Sequence, residues 1–292
     1  MNKLKRVFSF FIFVIILSNI FSFASAVTLS DKTTELEKDL SSEAVLIMES
    51  TTGKIIYEKN GYEKKYPAST TKILTAILAI EHCNLDETAT ASEFAINSIP
   101  SGYSTANIQI GETLSIKDLL YALMLQSANE SAVILAEHVS GSQEAFADLM
   151  NKKAKEIGCE NSHFVNPNGI HNNDHYTTAH DLALISNYAM KNSTFRDIVK
   201  TTSFTLPATS AYPSATRTYI NTNNLLIYDN RNRSDNYYYE YATGIKTGYT
   251  TEAKNCLVSS ATKNGMNFIT VVLGSSITYG NTGTISHRYV DT

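Results

Sequence analysis

Ser69 and Lys72 stand three residues apart in the segment "PASTTKILTA", residues 67–76. On a helix that spacing puts both side chains on one face, so a hydroxyl meets an amine able to take its proton. The first N–H groups of a helix lack internal partners, which frees the Ser69 amide to donate to a developing oxyanion. The positive helix start also disfavours a protonated lysine. One short segment thus carries a nucleophile, a base and half of an oxyanion hole. A second Ser-x-x-Lys, Ser260 to Lys263, falls in a strand-like run, where the two side chains share no helical face.

Lys246-Thr247-Gly248 is the only Lys-Thr-Gly of the chain. A cation and a hydroxyl there are suited to a carboxylate, and the glycine lets a substrate backbone approach closely. A second cation beside Lys72 also helps keep that lysine neutral. Two Ser-x-Asn candidates exist. Ser234-Asp-Asn236 lies in "NRNRSDNYYYEY", polar under any reading, whereas Ser127-Ala-Asn129 interrupts two strongly apolar helices and is the functional choice. His171 and His175 flank Asp174, but the segment begins "NPNG", and no His-Glu-x-x-His occurs. They read as loop histidines, so no metal is expected. Cys83, Cys159 and Cys256 are widely spaced, odd in number and form no C-x-x-C pair, so neither a disulfide framework nor a structural zinc site is expected, and they read as small, partly buried side chains.

These residues need a scaffold. "AVLIMES", "TTG" and "KIIYEKN" read as strand, turn, strand. Pro67 suits the first turn of a helix, and Ile73, Leu74, Ile77, Leu78 and Ile80 surround that helix so fully that it must be buried. Ser115 and Asp118 form a capping start to "IKDLLYALMLQ". "SAVILAEHVSG" reads as a helix ending at Gly141, and residues 143–158 and 177–192 as two more. Residues 201–241 are a polar, Tyr/Asn-rich connection with strand-like pieces. "TGIKTGY", "NCLVSSATK" and "MNFITVVLG" return to strand, with an Asn264-Gly265 hairpin signal between the last two. Two strands at the start and three at the end imply one sheet assembled from both chain ends.

Lys3, Lys5 and Arg6, the apolar run from Val7 to Phe23, and Ala24-Ser25-Ala26 read as an export signal peptide over residues 1–26. Ser18, Asn19 and Ser22 leave that run short for a membrane span. Residues 27–42 are a flexible lead, and 43–292 the catalytic domain. At 43% hydrophobic the chain can build a large core, and 24 basic against 28 acidic residues exclude a nucleic-acid surface.

Ser-x-x-Lys, Ser-x-Asn and Lys-Thr-Gly in this order form the motif set of class A β-lactamases and penicillin-binding proteins. Beyond the motifs, "YPAST", "LLYALMLQSANESA", "MNKKAKEIG", "HFVNPNGIHNNDHYTTAHDLALI", "NTNNLL" and "GIKTGYTTEA" carry a likeness from about residue 43 to the end. The sequence resembles the D-alanyl-D-alanine carboxypeptidases of the low-molecular-mass penicillin-binding proteins, serine peptidases that trim peptidoglycan. The resemblance implies an α/β (α+β), β-lactamase/transpeptidase-like fold. It would have a five-stranded, mainly antiparallel sheet flanked by helices, with an all-helical subdomain.

It further implies that Ser69 is the acylated nucleophile, Lys72 its general base and Ser127 a proton relay toward the leaving amine. Asn129 would hold the substrate's peptide backbone, and Lys246 and Thr247 its terminal carboxylate, with Gly248 beside them. The amides of Ser69 and Tyr249 would form the oxyanion hole. The partners implied are a peptidoglycan stem peptide and, as covalent inhibitors, β-lactams; no cofactor is implied, and the place of action is outside the cytoplasmic membrane, at the cell wall. Lys254-Asn255 depart from the family, which commonly has a glycine and an aromatic residue there. The chain given stops at "SHRYVDT", without the family's last helix, β-rich second domain and membrane anchor, so membrane association is expected only through such segments. Three rivals are a class A-like β-lactamase, disfavoured because no Glu-x-x-Leu-Asn segment follows Ser127, a zinc peptidase cleaving the same bond, disfavoured because His171 and His175 lie in a loop-like segment, and a non-catalytic module that binds the wall or senses β-lactams.

Overall fold

The apolar runs on either side of the "TTG" turn form β1 (Ala44–Glu49) and β2 (Lys54–Lys59), an antiparallel pair. The structure, a computed structural model, describes residues 40–228, 236–280 and 283–292. The signal peptide, most of the flexible lead and Ser234 lie outside them. Pro67 opens a 3-10 turn, Ala68–Thr71, which runs directly into α1 (Lys72–His82). Every residue from Lys72 to Ala79 is buried, as its apolar circumference requires.

β3 (Thr88–Thr90), the short α2 (Glu93–Asn97) and β4 (Thr113–Ser115) lead to α3 (Ile116–Met124). The expected cap is formed: Ser115 Oγ accepts from Asp118 N at 3.0 Å and donates to the Asp118 carboxylate at 2.7 Å. α4 (Asn129–Ser140) and α5 (Gln143–Ile157) each end on a left-handed glycine, Gly141 and Gly158. α4 begins two residues before the sequence reading, so Asn129 and Glu130 sit in its first turn. α6 (Ala179–Ala189) is shorter than the run 177–192, because the Thr178 side chain caps it by accepting from Asp181 N. α7 (Ser193–Lys200), unassigned in the sequence reading, is capped by Asn192.

Inside the polar connection, β5 (Ser203–Leu206) pairs with β6 (Arg217–Ile220). β7 (Ala242–Thr250), β8 (Lys254–Lys263) and β9 (Met266–Ser275) follow. The last two join through Asn264 at φ +52° and Gly265 at φ +78°, the signs a two-residue hairpin needs. β10 (Ile277–Gly280), β11 (Gly283–Ser286) and one helical turn, α8 (His287–Val290), close the chain.

The sheet order is β2-β1-β9-β8-β7, antiparallel throughout, so both chain ends meet in one five-stranded sheet and β7 is an edge. Residues Ser42–Thr292 form one compact unit. Side chains of β8 alternate between two cores, as a strand's period of two dictates. Cys256 and Val258 join the main core under the helices, while Leu257 joins a smaller cluster with Leu225 and Tyr289 of α8. Within the main core α1 packs on α3, α4 and α6, and α7 covers β7. The helices therefore hold the start of α1 against the edge strand.

Candidate active site

Two helix starts and one sheet edge meet in a cleft of about 410 Å³ lined by Ser69, Ser127, Asn129, Thr247, Gly248 and Tyr249, among others. A larger cleft, of about 490 Å³ between Glu43, Lys64 and Glu252, contains no nucleophile–base pair. Ser69 is half-buried on the 3-10 turn, and its amide makes no hydrogen bond among the described residues. Ala68 before it has φ +48°, a left-handed conformation costing roughly 1–2 kcal/mol for a residue with a side chain. Gly248 of β7 lies against this turn so closely that a Cβ there would come within 3.1 Å of Ser69 N.

Lys72 is fully buried. Its Nζ lies 2.9 Å from Ser69 Oγ, 2.8 Å from Asn129 Oδ1 and 2.6 Å from the Asn168 carbonyl. Two of these partners are pure acceptors and the third is a hydroxyl. A neutral amine, with two N–H bonds and one lone pair, satisfies all three when Ser69 donates. Burial is the main force lowering the Lys72 pKa well below its ordinary value, and the Lys246 charge adds to it, against a smaller opposing pull from Glu130. The helix start and a second cation beside Lys72 were the causes expected from sequence; Lys246 supplies the second, and desolvation is larger than it.

The Asn168 carbonyl is delivered by the "NPNG" loop. Asn166 Oδ1 accepts from Gly169 N at 2.7 Å, and Thr75 Oγ1 donates to the Pro167 carbonyl at 2.6 Å. Gly169 has φ +80°, and a Cβ there would fall 1.9 Å from the Ala68 carbonyl oxygen. His175 braces the same turn. Its Nδ1 accepts from Val165 N at 3.1 Å, which leaves Nε2–H to donate to Thr71 Oγ1 at 2.8 Å. Burial pushes its pKa down to about 3, so the ring is neutral and both nitrogens are committed to the fold.

Asn129 ties this centre to the segment over the cleft, donating from both Nδ2 and its amide to the Ser104 carbonyl, at 2.9 and 3.0 Å. Ser127 lines the cleft at φ +62° and makes no hydrogen bond among the described residues. On β7, Lys246 is buried and donates to the Thr247 carbonyl at 3.0 Å. Its pKa is lowered to about 7, first by burial and then by Arg288. Thr247 Oγ1 lies 2.7 Å from Thr222 Oγ1 of the "NTNNLL" segment, whose Asn223 Nδ2 donates to the Gly244 carbonyl at 3.0 Å. Ser69, Lys72, Ser127, Asn129, Lys246, Thr247, Gly248 and Tyr249 are thus brought together. Ser260 is elsewhere, bonded to Thr243 within the sheet.

Two contributors escaped the sequence reading. Arg288, from the tail, lines the cleft and its Nη1 lies 3.4 Å from the Gly248 carbonyl. Glu130 is buried and accepts from the amides of Ala106 and Ile108 at 2.6 and 3.4 Å, and burial raises its pKa. The acidic position in "SANE" was its one visible signal; Arg288 had none.

A family model described as D-alanyl-D-alanine carboxypeptidase matches residues 31–277. The D-alanyl-D-alanine carboxypeptidase DacF of Bacillus subtilis is 36% identical over 278 residues, 94% of this chain and 67% of that protein. The D-alanyl-D-alanine carboxypeptidase of Streptomyces sp. strain K15 is 37% identical over 243 residues, 78% of this chain and 79% of that one. Among solved structures, the Streptomyces K15 DD-transpeptidase superposes with a TM-score of 0.74 at 33% identity, covering 86% of this chain and 94% of that one. The D-alanyl-D-alanine carboxypeptidase DacD of Francisella tularensis gives 0.69 at 29% identity, covering 81% and 66%.

Proposed function

The chain belongs to the D-alanyl-D-alanine carboxypeptidase family of serine peptidases, and from that premise we propose how its residues carry the reaction. The substrate is a peptidoglycan stem pentapeptide, and the bond broken joins its last two D-alanines. Ser69 Oγ attacks the penultimate carbonyl while its proton passes to the Lys72 amine. The amides of Ser69 and Tyr249 receive the oxyanion, an arrangement in which each donor is worth about 10²–10³ in rate. The proton then travels through Ser127 to the leaving D-alanine nitrogen as the C–N bond breaks. Water, activated by the again-neutral lysine, hydrolyses the Ser69 ester. General-base help of this kind contributes roughly 10²–10⁴.

Lys246, Thr247 and Arg288 form the carboxylate end of the site, Gly248 gives the substrate backbone room beside the nucleophile, and Asn129 aligns it. The single observation carrying this reading is the Lys72 amine with two carbonyl acceptors at 2.8 and 2.6 Å and the Ser69 hydroxyl at 2.9 Å. β-Lactams acylate the same serine. No Glu-x-x-Leu-Asn segment follows Ser127 to supply the extra glutamate by which a class A β-lactamase clears its acyl-enzyme, so the penicilloyl ester is long-lived. The enzyme acts outside the cytoplasmic membrane, where its substrate lies.

Mass spectrometry of the chain after penicillin treatment, with D-alanine release from a stem pentapeptide, tests the assignment. A penicilloyl adduct on Ser69 and D-alanine release, both lost in Ser69→Ala, are expected. Including an amine acceptor separates hydrolysis from transpeptidation. A Lys72→Ala protein acylated at the parent rate would remove Lys72 from the mechanism.

A further inference from the structure

The helices that begin in the cleft end together at a second cluster of chemistry-bearing side chains. Cys83 caps the end of α1, His138 lies in the last turn of α4, and Glu87 sits in the connection that follows α1. One donor atom from each, the Cys83 thiol sulfur, a Glu87 carboxylate oxygen and a His138 ring nitrogen, all lie within 4.8 Å of one another. His138 Nε2 and Glu87 Oε2 are 3.3 Å apart. That is long for a charge-assisted hydrogen bond and equals the ~3.3 Å edge of a tetrahedron with bonds of about 2.0–2.1 Å to nitrogen and oxygen.

The surroundings orient these donors. The other Glu87 oxygen, Oε1, accepts from Asn84 N at 3.1 Å and Asn84 Nδ2 at 2.8 Å. That fixes the carboxylate with Oε2 turned to the histidine, as outer partners of ligating carboxylates do. The Cys83 sulfur makes no hydrogen bond among the described residues and is partly exposed. The His138 and Glu87 side chains retain 29% and 42% of their exposure, so an ion can enter and a water can complete its shell.

We propose that Cys83, Glu87 and His138 bind one Zn²⁺, with water as the fourth ligand. A thiolate, an imidazole and one carboxylate suit zinc; an oxygen-seeking Mg²⁺ or Ca²⁺ does not select such a set. On binding, the Cys83 S–H bond breaks, its proton leaves to solvent, and the sulfur pair forms the Zn–S bond. The metal then ties the ends of α1 and α4, whose opposite ends the Lys72–Asn129 hydrogen bond of 2.8 Å already joins. Its role is structural: it stiffens the pair of helices that carry the base and its partner. The spacing, four residues and then fifty-one, has no sequence signature.

The test uses the untagged full chain, stripped with a chelator, given one equivalent of Zn²⁺ and gel-filtered. One zinc retained per chain is expected, with a Tm increase of about 4 °C or more at saturating zinc. Co²⁺ in its place should give a thiolate charge-transfer band and the strong visible bands of a tetrahedral ion. Cys83→Ser should remove the charge-transfer band, and His138→Ala should weaken retention at least tenfold. Both variants should keep fluorescent-penicillin acylation of Ser69, showing that they are folded. No stoichiometric retention by the parent chain, or retention unchanged in both variants, overturns the proposal.

Discussion

Replacing Asn129 by Asp tests the protonation state on which the mechanism turns. Asn129 Oδ1 lies 2.8 Å from Lys72 Nζ, so Asn129→Asp puts a carboxylate in contact with the buried amine while changing almost no volume. An opposite charge at that range favours the charged form by about 1–3 pH units. A raised lysine pKa means that the amine stays protonated, and useless as a base, until pH climbs past the new value. At a fixed neutral pH the acylation rate constant therefore falls about 10–10³-fold, each pH unit being a factor of ten or about 1.4 kcal/mol. The acid limb of the acylation profile moves up by the same interval, and activity returns in alkali. Stopped-flow acylation by a fluorescent penicillin across the neutral and alkaline range measures both. Asn129→Ala, which removes an acceptor without adding charge, should lose rate with no upward displacement of the limb. An Asp variant with the parent profile, or one depressed equally at every pH, would refute the idea that Lys72 works as a neutral base.

Three further outcomes are expected. Gly169→Ala must place a Cβ 1.9 Å from the Ala68 carbonyl at φ +80°, costing about 2–4 kcal/mol from strain and overpacking; an unchanged Tm would contradict that packing. Lys246, with a pKa near 7, is charged below that pH and neutral above it. KM for a peptide with a free terminal carboxylate should therefore rise as pH passes upward through about 7, while a C-terminal amide analogue shows no such rise; matching profiles would detach Lys246 from carboxylate binding. Lys254 occupies φ +56°, so Lys254→Gly should relieve the roughly 1–2 kcal/mol a side chain costs there and β-branched Lys254→Val should be destabilising in denaturant unfolding, the reverse order arguing against backbone strain there.

The last case shows how sequence and structure divide the information. Lys254 departs from the family's common glycine, yet the backbone keeps the left-handed turn and its Nζ bonds the Glu43 carboxylate at 2.6 Å. Side-chain chemistry at regular spacing was readable: Ser69 and Lys72 share a face, Ser115 caps α3, and Asn264-Gly265 closes the hairpin. Contacts made by the backbone were not. The Asn168 carbonyl that fixes the Lys72 amine looks like any other peptide group, and only folding the "NPNG" loop onto Ala68 gives it a role. Arg288 arrives from a tail that reaches the β7 edge only after the β10–β11 pair, in the helical turn α8. Helix edges shifted for local reasons: the Thr178 side chain takes up a free amide at the start of α6, and the Asn129 amide at the start of α4 finds the Ser104 carbonyl.

Because α1 and α4 both begin at the cleft, their two positive ends point at the same space, alongside Lys246 and Arg288. The chain as a whole carries a net charge of −4, so the mouth of the site is a cationic spot on an acidic body. Field of this kind draws a negatively charged peptide terminus from a distance and turns it before contact. Encounter should then slow as salt screens the attraction, since the reach of such forces shrinks to about 8 Å at physiological ionic strength. Catalytic efficiency toward anionic peptides is thus coupled to the ionic strength of the medium around the enzyme.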